Sequence, residues 1–458
     1  MESSVQPHPN QGATIPVPSP TTPFWRSQKH HLDSHRSTPD LPKEQDIVIV
    51  GAGFSGASCA YYISQLMQSA TLPPRTTCTI LEARDACSGA TGRNGGHLRP
   101  DSLATFQRYA PTYGVQAASD IALFELDNCR AVRDIIRAEE IACDYTEVIS
   151  SSVFLDDSQA EEAKRLLGEL VAEGHDILQK FKYYQGQQAE EVSGVNGAKG
   201  PTTFQAACLW PYKLVMHLLA VATSKGVHLQ TNTPVLATSN DPDVNGYWTL
   251  STPRGDLRAK KIIFATNGYT SHLLPQYSSA IVPVRGICSH IISHAGTPSV
   301  SKTIMTMGIK HGPGQHDYLI TRPDRSIIVG GAWKAVRRGP REDWHNVTDD
   351  SRLIPIAENY YNGFMNRTFK SWEKTKADVD YLWTGIMGYT SDEVPHVGQI
   401  HEKPGQYLCA GFNGHGMPQV LLCARATVKI ALEGCGFAET GVPPVFKTSV
   451  ERTAAAKK

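Results

Sequence analysis

Apolar and polar positions along this chain follow two periods, and the switches between them mark its elements. Ile47, Val48, Ile49 and Val50 form an unbroken β-branched run of strand length, Gly51-Ala52-Gly53-Phe54-Ser55-Gly56 follows, and residues 57–67 have helical composition. Thr79-Ile80-Leu81 is a second short apolar run, and it ends in Glu82. Residues 101–140 read as largely helical, with Ile121, Leu123, Phe124, Val132, Ile135 and Ile136 on one stripe. Residues 147–155 have strand character. Residues 159–181 form a second amphipathic helix with Leu166, Leu167, Leu170, Val171, Ile177 and Leu178 inward.

The middle of the chain is denser in strands. Residues 204–209 read as a strand, Pro211 opens a helix over 212–224, and Gly226 closes it. Strands follow at 227–229, 233–237, 247–251 and 257–260, then a buried one at 262–264 that runs into Ala265-Thr266-Asn267-Gly268. Residues 281–333 are strand-rich and antiparallel, with a hairpin of 318–321 and 326–329 around Arg322-Pro323-Asp324-Arg325. Residues 348–369 read as mainly helical, 381–389 and 406–412 as strands, and 417–433 as the last long helix after the turn Asn413-Gly414-His415-Gly416. Nucleotide-type strands thus recur at the start, middle and end of the chain, with the antiparallel region inserted between them. That order implies two interleaved domains.

Composition narrows the class. The 458 residues suffice for two or three domains, and 44 basic residues balance 44 acidic ones. That balance argues against electrostatic nucleic-acid binding, and no apolar run reaches the length of a membrane span. The ten cysteines show no CxxC pairing and read as buried, reduced thiols, with no metal site expected. Residues 1–44, rich in Pro, Ser, Thr, His and Gln, read as a disordered tail with neither a secretory core nor a presequence helix, and residues 437–458 as a C-terminal tail. The expected location is intracellular, in the cytoplasm.

The chemistry is in the glycines. Gly51 permits the tight turn out of the strand, Gly53 leaves room for a pyrophosphate, and Gly56 lets the helix approach the strand. The backbone of Ala52, Phe54 and Ser55 offers N–H groups at the helix N-terminus. Glu82 is placed to accept hydrogen bonds from a ribose diol. Strand, helix, second strand and terminal acid in this order point to a dinucleotide, with NAD and FAD equally open. Ser88-Gly89-Ala90-Thr91-Gly92-Arg93-Asn94-Gly95-Gly96 is too glycine-rich for helix or strand, and reads as a loop whose backbone approaches a flat ligand.

Four stretches together resemble the FAD-dependent oxidoreductases of the D-amino-acid oxidase superfamily. They are IVIVGAGFSGASCAYYI, LEARDACSGATGRNGGHLRP, IIFATNGYTSHLLP and WTGIMGYTSDEVPHVGQI with QYLCAGFNGHGMPQ. The likeness is greatest to the branch of glycine oxidase, sarcosine oxidase and γ-glutamylputrescine oxidase. It implies an α/β fold: a Rossmann-like FAD-binding domain (GR2-type, glutathione-reductase-like) from residues 45–110, 200–280 and 380–436. An antiparallel-sheet α+β substrate domain from 111–199 and 281–379 is interleaved with it.

The same resemblance implies FAD as cofactor. Its contacts would come from Gly51 to Gly56, Glu82, Ala83, Arg84, Ser88, Thr91 to Gly96, Val235, Thr266, Gly268, Gly414, His415 and Gly416. The Gly414-His415-Gly416 turn and its helix dipole would face the flavin pyrimidine edge, where negative charge collects on reduction. Some family members hold FAD through a cysteine just before the closing motif. Gly385-Ile386-Met387-Gly388 has none, so the binding is expected to be non-covalent. Some oxidases also carry a lysine over the flavin that speeds the reaction with oxygen; Ser326-Ile327-Ile328-Val329 has none, which leaves a quinone or carrier protein open as acceptor. The implied activity is oxidation of a C–N bond of an amine or amino acid by hydride transfer to flavin N5, with oxygen as acceptor, giving imine and hydrogen peroxide. Alternatives are a dehydrogenase of hydroxy acids and a non-catalytic FAD-binding protein. His97, Arg99, Arg285, Tyr318, Trp333 and Trp383 are the candidates for substrate orientation.

Overall fold

The computed structural model describes residues 14–69, 71–293, 298–301 and 304–456. Glu44–Val50 is the middle of a sheet that has eight strands among the described residues. It pairs in parallel with Cys78–Leu81 on one side and Gly255–Phe264 on the other. His228–Gln230 and Gln406–Ala410 extend the parallel order outward. His396–Gln399 closes one edge antiparallel, and Trp248–Thr252 folds back on Gly255–Phe264. Strands covered on both faces must be continuously apolar. Val48, Ile49, Ile262, Ile263, Phe264 and Leu408 accordingly have no exposed surface. The helix Phe54–Gln68 packs between Pro211–Ser224 and Val420–Leu432. The two strands read at 257–260 and 262–264 are one continuous strand, because the Lys260 ammonium reaches Asp46 at the surface and that of Lys261 the Ala431 carbonyl while the backbone pairs on.

The second sheet has nine strands among the described residues. Its order runs from Ala377–Thr390 through Ile281–Ser293, Ile327–Gly330, Gln315–Thr321, Ile304–Gly312, Thr146–Phe154 and Thr202–Cys208 to His97–Leu98. All neighbours in this order are antiparallel except Ile304–Gly312 and Thr146–Phe154. The hairpin read around residue 323 is present, with Tyr318 opposite Gly330 and Thr321 opposite Ile327.

Several boundaries differ from the sequence reading. Thr202–Cys208 and all but the first three residues of Ala377–Thr390 lie in stretches assigned to the dinucleotide unit, yet both strands pair within the second sheet. A short apolar strand reads alike in either sheet, and only its partner decides. Residues 348–369 are mostly turns, with short helices at Pro355–Ala357 and Phe364–Thr368. Pro355 and Gly363 break the helical pattern there. The stretch after Gly436 is packed rather than a loose tail: Phe446 is fully buried, and Arg452 of the helix Val450–Ala455 pairs with Asp392.

The expected N-terminal tail divides in two. Residues 1–13 lie outside the described residues, whereas 14–44 are ordered against both sheets. Trp25 is buried; its Nε1 donates to the Asn94 carbonyl at 2.6 Å, and its own carbonyl accepts from Trp210 Nε1 at 2.6 Å. Arg26 pairs with Asp33 and Asp85, and Ser37 bonds the backbone of Leu229. A few aromatic and charged anchors hold this segment, which average composition conceals. All ten cysteines are free thiols, eight of them buried. No described helix is long and apolar enough to cross a membrane. Trp25→Ala is expected to destabilise the protein by about 3–5 kcal/mol, read as a lowered thermal midpoint. An unchanged midpoint would mean the segment merely rests on the surface.

Candidate functional site

One cavity of ≈ 420 Å³ runs from the glycine turn after Glu44–Val50 to the face of the second sheet. Three loops form its floor. In the first, Gly51 has φ +107°, and a Cβ there would sit 2.7 Å from the Ala265 carbonyl oxygen. Gly56 is tighter, since a Cβ would lie 1.8 Å from the Gly51 oxygen. Gly53 is the opposite case: its only neighbour would be Thr91 Oγ1 at 3.5 Å. Two glycines therefore serve packing and one keeps space open. The Glu82 carboxylate accepts from the N–H of Ala52 at 2.7 Å and of Arg84 at 3.0 Å. Burial pushes its pKa up, against the pull of those two bonds.

The second loop, residues 88–96, is held from below. Arg84 donates to both oxygens of the fully buried Asp350, at 2.9 and 3.1 Å. Arg84 and Arg93 both donate to the Ser88 carbonyl, and Arg93 also reaches the carbonyls of Thr384 and Thr21. Arg93 lies 3.4 Å from Asp350. Burial lowers the Arg93 pKa to about 10, because its bonds go mainly to neutral carbonyls. Arg84 is also buried, yet the directly bonded Asp350 carboxylate raises its pKa. The loop reaches back through Thr91 Oγ1, which accepts from the Phe54 N–H at the start of the first helix. The third loop is Gly414-His415-Gly416, where His415 Nε2 stands 3.2 Å from Oε1 of the fully buried Glu125. Asn267 supports this loop by accepting from the N–H groups of Gly411 and Phe412.

The roof is the face of the second sheet. Tyr318 lies over Gly330 and against Gly95; a Cβ at either glycine would come within 2.5 Å of its ring. Its hydroxyl is 3.7 Å from Cys288 Sγ, whose pKa burial pushes up to about 12. His97 Nδ1 bonds the Thr306 hydroxyl at 2.6 Å, and its Nε2 is buried without a partner among the described residues. Burial and then Arg99 depress the His97 pKa to about 3. Trp333 stands edge-on to Trp344 at the chamber wall.

Of the residues singled out in the sequence, Gly51, Gly53, Phe54, Ser55, Glu82, Ala83, Arg84, Thr91, Arg93, Asn94, Gly95, Val235, Thr266, Gly414, His415 and Gly416 line the cavity. So do His97, Arg99, Tyr318 and Trp333. Others lie behind the wall. Ala52 lends its N–H to Glu82, and Gly56 packs against Gly51. Ser88 gives its carbonyl to two arginines; Gly92 packs on the Cys87 carbonyl, Gly96 on Trp25, and Gly268 on Met387. The Arg84 and Arg93 guanidinium groups are already engaged by protein.

Two substrate candidates are structural instead. Arg285 donates to the carbonyls of Asp343 and Asp349. Trp383 is fully buried and donates to the Arg93 carbonyl at 2.8 Å. Arg285 alternates off the face of its strand that carries Gly286 and Cys288, whereas Trp383 shares the face of Gly385 and Met387 but is covered and spent on the Arg93 carbonyl. The sequence reading missed Asn267, Lys310, His316, Asp317, Met387, Tyr389 and Met417 on the wall. Gly308 and Gly330 were the available signal, since a glycine inside a strand marks a close approach.

The floor fits a dinucleotide. The open Gly53, the first-helix N-terminus without a side-chain cap of its own, and the Glu82 carboxylate stand together. The model of the FAD dependent oxidoreductase family matches residues 46–430. Gamma-glutamylputrescine oxidoreductase of Escherichia coli is 20% identical over 84% of this chain and 83% of its own. Glycine oxidase of Bacillus subtilis is 21% identical over 84% of this chain and 92% of its own. The crystal structure of glycine oxidase from Geobacillus kaustophilus superposes with a TM-score of 0.69 at 18% identity, covering 89% of this chain and 99% of that one.

Two outcomes are expected from the floor. Gly53→Ala should fold with a near-native melting profile and lose FAD affinity tenfold or more, by about 1.4 kcal/mol. Gly56→Ala should instead cost roughly 1–3 kcal/mol of stability or more through overpacking. Equal flavin retention in Gly53→Ala and wild type, by absorbance after gel filtration, would remove the cradle from consideration. Asp350→Ala should destabilise by about 3–5 kcal/mol, measured by denaturant titration, because it strands two buried arginines.

Proposed function

The chain belongs to the FAD dependent oxidoreductase family, and from that premise we propose that it oxidises a C–N bond of a small amine or amino acid. FAD, when bound, supplies the acceptor of the hydride. The glycine floor and Glu82 would hold its adenosine and pyrophosphate, and residues 89–95 with Gly414-His415-Gly416 its ring. The binding is non-covalent in this reading. Gly385 to Gly388 include no cysteine, and the buried Cys288 thiol stays protonated and so lacks the nucleophilic form.

The observation that carries the reading is His97 on the chamber wall, whose Nδ1 bonds the Thr306 hydroxyl and whose pKa burial and Arg99 hold near 3. An alcohol or hydroxy acid gives up a hydroxyl proton with its hydride, and needs a base whose pKa lies near the working pH. A neutral amine needs no base, because its nitrogen lone pair accepts the developing positive charge. The chamber's contribution is then to orient substrate and exclude water. Tyr318, Trp333 and Tyr389 wall it, and neutral His97 adds no positive charge beside the forming iminium. The carbon loses a hydride and the nitrogen a proton; the imine then takes up water and releases a carbonyl compound. Oxygen receives the two electrons and two protons as hydrogen peroxide.

The purified protein should show flavin absorption bands. Mixed anaerobically with a panel of amines, amino acids and hydroxy acids, it should bleach with amines or amino acids. Bleaching by hydroxy acids alone, or by dithionite alone, would overturn the reading.

A further inference from the structure

Lys310 lines both the main cavity and a second groove of ≈ 460 Å³. The groove lies between the helices Ser102–Tyr113 and Asp157–Ala172, with Gln107, Phe154 and Gln159 among its walls. Gln159 Oε1 is buried there without a hydrogen-bond partner. On the strand Ile304–Gly312, Gly308 and Lys310 are two residues apart and share a face. Tyr318 and His316 stand opposite them on the neighbouring strand. The missing side chain at Gly308 leaves room for the Arg99 guanidinium, whose Nη1 would be 3.4 Å from a Cβ placed there.

The charges at this junction do not balance. Arg99 spends Nε on Ser150 and Nη2 on the Ser151 carbonyl, Ser152 and Asp101. Its Nη1 has no protein partner among the described residues. Asp101 already accepts from Arg99, from Ser152 and from the Ala104 N–H that it caps. The hydrogen-bond partner of Lys310 Nζ is the uncharged Gln107 Oε1 at 3.5 Å, and Nζ sits 4.8 Å from the Phe154 ring centre. Burial pushes the Lys310 ammonium pKa down; Asp101 opposes that shift and Arg99 adds to it. Two cations face one committed carboxylate, at the end of the cavity away from the glycine floor.

We propose that Arg99 Nη1 and Lys310 Nζ form an anion subsite, and that the substrate is an amine bearing a carboxylate several bonds from the carbon that is oxidised. The carboxylate lies at the junction with the outer groove, through which such a molecule enters. The amine end lies toward Tyr318. An anion here supplies the counter-charge the protein leaves out, and converts a buried cation's desolvation cost into a charge-assisted hydrogen bond. This inference rests on the amine-oxidation reading.

The test uses the FAD-loaded protein and two readouts. Calorimetry compares unreactive hexanoate with hexanamide. Turnover compares kcat/KM for 6-aminohexanoate with that for its methyl ester. Wild type should prefer the carboxylate in both, by about ten- to hundredfold. Lys310→Met and Lys310→Gln should shrink the preference toward unity, and Lys310→Arg should restore much of it. Equal binding of acid and amide by wild type would overturn the proposal without any variant, as would an unchanged preference in both neutral variants. If carboxylates bind through Lys310 but no amine bleaches the flavin, the amine reading fails and the subsite stands. If amines bleach it with no carboxylate preference, the reverse holds.

Discussion

Asp350 is the buried charge on which the two halves of this molecule meet. Its carboxylate binds Arg84, which follows the second nucleotide strand, and faces Arg93 in the glycine loop. Its backbone carbonyl accepts from the Thr21 N–H of the N-terminal segment and from the Thr384 hydroxyl in the second sheet. A buried ion pair of this kind contributes little net stability compared with a well-packed apolar contact. What it does is fix position. Four segments distant in sequence thus meet at one residue, two arginines at its carboxylate and two threonines at its backbone carbonyl, and the loop from 88 to 96 is tied to it through Arg93. A glycine-rich loop has no side-chain packing with which to hold itself, so its shape must be imposed from outside. Arg93 and Ser88 impose it here, with Trp383 and Trp25 gripping the carbonyls of Arg93 and Asn94.

The roof follows a related rule, with glycine as receiver rather than ligand support. Tyr318 occupies space that Gly330 and Gly95 vacate, one on its own sheet and one on the floor loop. Any side chain at either position would lift the ring. The depth of the chamber is therefore set jointly by both domains, and the interleaving of the chain has a local purpose. Asp317 next to Tyr318 is fully buried. It accepts from Tyr360 and from the Ala332 N–H, which pins the turn that carries Trp333.

The dinucleotide floor was legible in the sequence because its demands are local. A strand, a GxGxxG turn and a helix must be consecutive, and Gly51, Gly53 and Glu82 stand where that order puts them. The roof was much less legible. Tyr318 and Trp333 were named, but Lys310 and His316 become neighbours only through the pairing of Ile304–Gly312 with Gln315–Thr321. Arg285 and Trp383 carry chemistry that suits a substrate. Arg285 lies on the other face of its strand, which sequence spacing does not reveal, and Trp383 shares the cavity face but is covered and bonded to the Arg93 carbonyl. Arginines were the hardest to assign. Arg84, Arg93 and Arg285 each found a carboxylate or carbonyl within the protein, whereas Arg99 Nη1, beside Gly308, has no partner among the described residues. Average composition hid the N-terminal segment in the same way, because its hold depends on Trp25 and Arg26 rather than on a continuous apolar pattern.

These features point to one division of labour. On the wall, burial and Arg99 strip His97 of basicity, and it stays neutral across the range in which the unfolded group, near 6.5, would titrate. Protonating it in the folded state is costly, so acid favours the unfolded chain below about pH 6.5. The cavity histidine with a carboxylate partner, His415 beside Glu125, is on the floor loop, and His97 on the roof bonds a hydroxyl, Thr306. Electrostatic pairing beneath the loops sets their geometry, and near Tyr318 the charged pair is Arg99 with Asp101. Placing a donor against a bound acceptor requires rigidity more than acid–base reach, and the arginines held by Asp350 supply it beneath the glycine loop.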